Sequence, residues 1–158
     1  MGRLLLLALA SGLVLVASSC GGGGDGQLSK SEYESKIGAI LQPIQGSTLQ
    51  SLVTISPADP DGAVQALKEG ESTLRDATSE LESMKPPDDA VDPTLLLAKG
   101  VREIADRVTA VRKDAERGDF ARLIRFKVTL ASDPAVGEIR EAALQLINLG
   151  YNITGEGP

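Results

Sequence analysis

The stretch Leu95–Gly118, LLLAKGVREIADRVTAVRKDAERG, decides the fold. Its apolar residues recur at alternating spacings of four and three, at Leu97, Val101, Ile104, Val108, Val111 and Ala115. Because an α-helix repeats every 3.6 residues, these side chains lie on one face and the charged residues between them lie on the other. The spacing predicts one long amphipathic helix that ends at Gly118.

The same period continues on both sides of this helix, and no alternating strand pattern appears. Residues that commonly cap helices precede the four apolar segments: Ser29, which opens a capping-box pattern with Glu32, then Asp59, Asp92 and Asp119. Helix-breaking residues divide the segments: Pro43 with Gly46 inside the first, Pro86 after the second, Gly118 after the third, Pro134 within the fourth and Gly150 at its end.

Short links between long amphipathic helices are typical of an antiparallel bundle. We therefore expect an all-α, antiparallel four-helix bundle over residues 29–153, with the fourth helix broken near Pro134. A flexible tail is expected over residues 154–158. A two-chain assembly is the alternative, because the Leu97–Ala115 spacing would also suit a coiled coil.

Composition excludes several classes of function. The 158 residues include no histidine and one cysteine, so His-containing zinc sites, imidazole-based catalytic triads and an internal disulfide framework are absent. Beyond residue 19 the chain carries 15 basic and 22 acidic side chains, a balance unsuited to general nucleic-acid binding. No phosphate-binding loop follows a strand. We expect no cofactor and no enzymatic activity.

The N-terminus has the three parts of a secretion signal: a positive start at Arg3, an apolar run over residues 4–17, and small residues before Cys20. The run is too short to span a bilayer, which takes ~20 residues. The segment Ala17-Ser18-Ser19-Cys20 resembles the lipobox of bacterial lipoproteins, although Ala17 stands where leucine is most usual. Plain secretion with a free thiol is the alternative.

The resemblance implies that residues 1–19 form a signal peptide cleaved after Ser19, and that the Cys20 sulfur carries a diacylglyceryl group. Residues 20–28 would then be the lipidated cysteine and a flexible glycine-rich linker. The expected location is a cell membrane, on its extracytoplasmic face, either periplasmic or at the cell surface. The expected first partner is the membrane itself, through the lipid on Cys20.

Two acidic turns, Asp59 with Asp61 and Asp88–Asp92, carry carboxylates that could bind Ca²⁺ or Mg²⁺ weakly. The later ligands and the closing glutamate of a calcium loop are missing. Aspartates are also favoured at the positive N-terminal ends of helices. We therefore interpret both turns as helix starts and expect no metal site.

Between Lys99 and Lys127 the chain carries nine basic and five acidic residues, whereas the rest beyond residue 19 is strongly acidic. The exposed cations of this hairpin could contact an anionic lipid surface or a phosphate-bearing wall polymer. The candidate contact residues are Arg112, Lys113, Arg117, Arg122 and Arg125. The alternative is a solvated face in which neighbouring carboxylates neutralise these charges.

These patterns favour a membrane-anchored, non-enzymatic helical module that binds an unknown envelope protein. They resemble the small helical lipoproteins of unassigned function found in bacteria. The alternative is a carrier of a small ligand or lipid, with a cavity of more than ~300 Å³ inside the bundle.

Overall fold

The computed structural model describes residues 26–153, and every regular element in that range is helical. Residues 1–25, which include the expected signal peptide, Ser19 and Cys20, lie outside the described residues, as does the expected tail over 154–158. The α-helices are α1 (Lys30–Pro43), α2 (Leu49–Thr54), α3 (Pro60–Ser83), α4 (Val91–Ala115), α5 (Ala121–Thr129) and α6 (Pro134–Asn148).

These helices form the four arms of an antiparallel bundle, which confirms the predicted fold. A π-helical turn over Ile44–Thr48 joins α1 to α2, so the predicted interruption after Pro43 is present. The fourth arm consists of α5, a 3-10 turn over Leu130–Ser132, and α6. Its break falls at Asp133 and Pro134, as predicted.

Two of the predicted helix starts, at Ser29 and Asp59, carry the expected caps, because their side chains satisfy amide groups that have no partner inside the helix. The Ser29 hydroxyl accepts from the Glu32 amide, and the Glu32 carboxylate accepts from the Ser29 amide at 2.8 Å. Asp59 accepts from the amide of Gly62 at 3.1 Å. The predicted cap at Asp119 is one residue too early: Phe120 occupies the cap position of α5 with no capping side chain, and Asp119 before it accepts from the amide of Ala121 at 3.0 Å.

The predicted cap at Asp92 is wrong. A 3-10 turn over Asp88–Ala90 precedes α4, which begins at Val91 with Ala90 at the cap position and no capping side chain. The chain is therefore already helical when it reaches Asp92, whose carboxylate lies inside the first turn. The helix also ends earlier than predicted, at Ala115, and Gly118 makes the following turn with a positive φ of 79°.

Helix α4 is the centre of the bundle, packed against α3 on one side and α6 on the other. The predicted apolar face is buried: none of Leu97, Val101, Ile104, Val108 and Val111 is more than 2% exposed. Aliphatic side chains from the other arms complete one continuous core. The sequence pattern that predicted α4 therefore also identifies the surface on which the other helices pack.

Helices α4 and α6 lie very close together at Gly100. A Cβ atom added there would lie 2.7 Å from Cγ1 of Ile139 and 2.9 Å from the carbonyl oxygen of Ala135. The second contact is with backbone, so a larger residue would have to displace the helix itself. At Gly137, which belongs to α6, an added Cβ would have no atom within 4 Å.

One end of the bundle is closed by two tyrosines. Tyr33 and Tyr151 pack edge to face with ring centroids 5.1 Å apart, and both are core residues. The Tyr33 hydroxyl lies 2.8 Å from the hydroxyl of Thr94, and the Tyr151 hydroxyl donates to Asp89 at 2.6 Å. Burial, together with the Asp89 carboxylate, raises the pKa of Tyr151, so this hydroxyl stays protonated.

A polar seam joins the outer edges of α3 and α4. Glu71 accepts from the hydroxyl of Thr109 at 2.7 Å and from Nε of Arg112 at 2.6 Å. The side chains of Glu71 and Arg112 are only 19% and 18% exposed. Partial burial raises the pKa of Glu71, but these hydrogen bonds and the charges of Arg112 and Arg75 outweigh it, so the pKa lies below its ordinary 4.5.

We expect Gly100→Ala to lower the free energy of unfolding by about 1–3 kcal/mol, because overpacking between α4 and α6 outweighs the better helix propensity of alanine. Urea unfolding followed by circular dichroism measures this change. Gly137→Ala is the matched control and should stabilise by up to ~1 kcal/mol. Equal stability changes in the two variants would contradict the close approach at Gly100.

We expect Glu71→Gln to lower the free energy of unfolding at pH 7 by about 1–3 kcal/mol, since it removes charged hydrogen bonds from a largely buried site. A lowered pKa stabilises the fold at pH values above about 4.5, and this contribution is lost as the pH falls through the folded-state value. The difference between wild type and variant should therefore shrink at acid pH. Glu80→Gln, at an exposed position of α3, should show no comparable pH-dependent difference.

Candidate interaction surfaces

The first described residues attach the N-terminal segment to a defined end of the bundle. The amide of Leu28 donates to the carbonyl of Lys85 at 2.9 Å, and the Gln27 side chain donates to Asp88. Both partners lie in the link between the end of α3 and the start of α4. Residues 27 and 28, the last two of the predicted linker, are therefore fixed to the bundle, at the end that the tyrosines close.

Four of the five predicted anion-contact residues lie together at the opposite end, where α4 turns into α5. We call Lys113, Arg117, Arg122 and Arg125 the basic corner. Two adjoining surface grooves bring them together, because Arg122 lines one groove with Lys113 and Arg117 and the other with Arg125. The tight turn at Gly118 produces this arrangement by folding α5 back onto α4.

Asp114 organises the basic corner. Its side chain is 10% exposed and pairs with the guanidinium groups of Arg117 and Arg122, the latter at 2.9 Å. Both arginines remain more than half exposed. Lys113 and Arg125 are exposed and have no ion pair among the described residues. The corner thus presents four cations against the buried Asp114 and against Asp106, which lines the same groove and pairs with Arg75.

Arg112, the fifth predicted residue, does not belong to this corner. Its Nε pairs with Glu71 and its Nη1 pairs with Glu116 at 2.8 Å, so it faces α3 and is mostly buried. Adjacent residues of a helix point about 100° apart. This rotation places Arg112 in the α3–α4 seam, whereas Lys113 faces solvent.

Much of the basic charge outside the corner is neutralised by α3 and α6. Arg102 pairs with Glu82, and Lys99 pairs with Glu138 and, at 3.3 Å, with Glu103. The acidic faces of the neighbouring helices therefore cover the first half of the basic region. Its unpaired charge is concentrated near α5.

The outward face of α5 carries apolar residues that the sequence pattern did not place at the surface. Ile124 is 55% exposed, and Val128 is 78% exposed. The inward face is formed by Leu123 and Phe126, both buried. This short helix is therefore apolar on two sides. The spacing of four between Ile124 and Val128 is the sequence signal for the second side.

A second exposed apolar face lies on α6. Leu144 is 54% exposed and Ile147 is 50% exposed, and they stand three residues apart on the helix. Arg140 precedes them by four and seven residues, which places it on the same face. Unlike α5, this helix also carries exposed negative charge at Glu141.

The predicted acidic turns have structural partners. Asp59 caps α3, Asp88 accepts from Gln27 and Asp89 accepts from Tyr151. Within residues 26–153, no group of three or more His, Cys, Asp or Glu side chains is arranged to hold a metal ion. None of the described helices combines the length and apolar composition needed to cross a bilayer.

The grooves lie at the surface of the bundle. One of about 390 Å³ runs between α4 and α5, and another of about 400 Å³ lies between α1 and the end of α3. Both open to solvent. The interior of the bundle is occupied by core side chains such as Ile37, Leu67 and Leu146, each fully buried.

No family model, no curated protein and no solved structure matches this chain. The assignment of function therefore depends on the residues of this chain: the N-terminal signal pattern, the basic corner, and the exposed apolar faces of α5 and α6.

Proposed function

We propose that the mature chain is a lipid-anchored protein on the extracytoplasmic face of a bacterial membrane, where it binds another envelope protein and does not act as an enzyme. The N-terminal pattern that ends in Ser19-Cys20 supports the anchor. The linker that follows leads to the fixed residues 27 and 28, so the anchor would hold the bundle within a short distance of the bilayer.

The exposed aliphatic pair on α6 carries the proposal of a protein partner. Leu144 and Ile147 are about half exposed and adjacent, with charged residues beside them. An apolar centre with a polar rim is the arrangement found in protein interfaces. Arg140 and Glu141, of opposite sign, provide that rim. A mixed rim of this kind suits a protein surface better than a uniformly charged polymer.

The alternative, a small-ligand or lipid carrier, has less support. A carrier needs an enclosed apolar cavity that covers most of its ligand. The grooves described above are open, and core side chains occupy the interior positions of the bundle. Catalysis likewise lacks a pair of buried neighbouring carboxylates: Asp114 is the only buried carboxylate among the described residues, and two arginines hold it.

We expect the protein purified from membranes to begin at Cys20 and to carry acyl chains on that residue. Cys20→Ser should retain residues 1–19, because the serine hydroxyl replaces the sulfur that takes the lipid. Intact-mass spectrometry of both proteins checks this. A mature chain that begins elsewhere, with an unmodified thiol at Cys20, would instead support plain secretion.

We expect a photo-crosslinking residue at Leu144 to give a single protein adduct in intact cells, whereas the same residue at Glu80, exposed on α3, gives none. Ile147→Asp should reduce the Leu144 adduct by roughly tenfold or more, since it places a charge at the centre of the contact. Gel shift and mass spectrometry of the adduct measure both effects. Equal adducts at positions 144 and 80 would refute a specific partner on α6.

A further inference from the structure

The outer face of α5 is an exposed aliphatic surface. Val128 is the most exposed large apolar residue among those described, at 78%, and Ile124 lies one turn before it. Ala121 falls on the same face, three residues before Ile124. The result is an exposed aliphatic strip along a helix whose other side is already part of the core.

The charged residues of α5 beside this strip are all basic. Residues 120–132 contain Arg122, Arg125 and Lys127 and no acidic residue. Lys127 is fixed, because its ammonium donates to the carbonyl of Ile55 at 2.6 Å. Arg122 and Arg125 lie on the opposite edge of the strip and are exposed, and Lys113 of the basic corner is close by, across the groove.

We propose that α5 rests on the surface of an anionic bilayer, with Val128 and Ile124 in the headgroup region and the cations of the basic corner against lipid phosphates. Helices that lie in a membrane interface combine an apolar face with flanking Lys and Arg in this way. The apolar strip favours a bilayer over a phosphate-bearing wall polymer, because a hydrated polymer offers nothing to cover Val128 and Ile124.

The position of α5 implies how the bundle would lie. The linker reaches the bundle where α3 ends and α4 begins, whereas α5 is at the far end of α4. The 25 residues of α4 span ~37 Å. The six residue steps from Cys20 to Gly26 extend at most ~20 Å. An upright bundle would therefore hold α5 away from the bilayer, so contact at α5 requires the bundle to lie along the membrane.

The test measures the affinity of α5 without the lipid anchor. The mature chain, residues 20–158 with Cys20→Ser, is mixed with vesicles of phosphatidylcholine alone or with 30% phosphatidylglycerol, and binding is measured by flotation. We expect binding to the anionic vesicles only. Arg125→Gln should weaken it about fivefold, as expected for loss of one interfacial cation, and Val128→Ser should weaken it further.

A matched control comes from α6, which offers the same residue types on a different face. Arg140→Gln with Leu144→Ser removes one exposed cation and one exposed aliphatic side chain, and should leave vesicle binding unchanged. Circular dichroism verifies the fold of each variant. Equal losses for the α5 and α6 variants, or no binding to anionic vesicles, would overturn the proposal.

Two further measurements separate a bilayer from other partners. An environment-sensitive label at Val128→Cys, in the Cys20→Ser chain, should shift to the blue on anionic vesicles, and the same label at Leu144→Cys should not. Inorganic polyphosphate stands for a wall polymer. The proposal fails if polyphosphate binds the wild type and Val128→Ser equally well and the label at position 128 shows no blue shift on vesicles. The basic corner would then bind a polymer and not a bilayer.

The inference rests on the proposed membrane location but not on the proposed protein partner. Loss of vesicle binding in the α5 variants, with the Leu144 adduct intact in cells, would support α5 as a membrane contact separate from the α6 surface. Vesicle binding without any Leu144 adduct would retain the inference and remove the protein partner. The two proposals can therefore fail separately.

Discussion

The close packing of α4 between α3 and α6 is the constraint on which the remaining structure depends. Its apolar face is almost fully buried, and at Gly100 there is no room for even a methyl group beside α6. Because interiors pack at near-crystalline density, such a contact fixes the helices along their axes as well as around them. Each other residue of α4 therefore points in a set direction, into the core, into a seam or into solvent.

The rotation of α4 about its own axis decides which cations are available at the surface. Arg112 and Lys113 are neighbours in sequence, yet one is held by Glu71 and the other is exposed. A count of charges along the chain treats them alike. The acidic residues of α3 neutralise the face of α4 that carries Arg112 and do not reach the face that carries Lys113. The basic charge of the hairpin is therefore concentrated beside α5. Charge of one sign in a small area creates a local field even on an acidic protein.

Much of the fold could be predicted from the sequence because long helices repeat their pattern. The apolar spacing of α4, the caps at Ser29 and Asp59 and the break at Pro134 are each set by local chemistry. The misplaced cap at Asp92 and the exposure of Ile124 could not be predicted in this way. Asp92 follows a 3-10 turn that begins after Pro87. Helix α5 is too short, with apolar residues on both sides, for periodicity to show which side is buried.

The basic corner could also be predicted only in part from local sequence. The basic residues could be found by counting, but their grouping depends on the turn at Gly118, which lays α5 against the end of α4. A contact built from so few cations and two aliphatic side chains would be weak for a protein free in solution. The proposed lipid anchor would change this, because it would confine α5 to a layer near the membrane, where its effective concentration would be in the millimolar range. With that anchor a weak contact would be sufficient to orient the bundle, and the face of α6 would be left for the proposed protein partner.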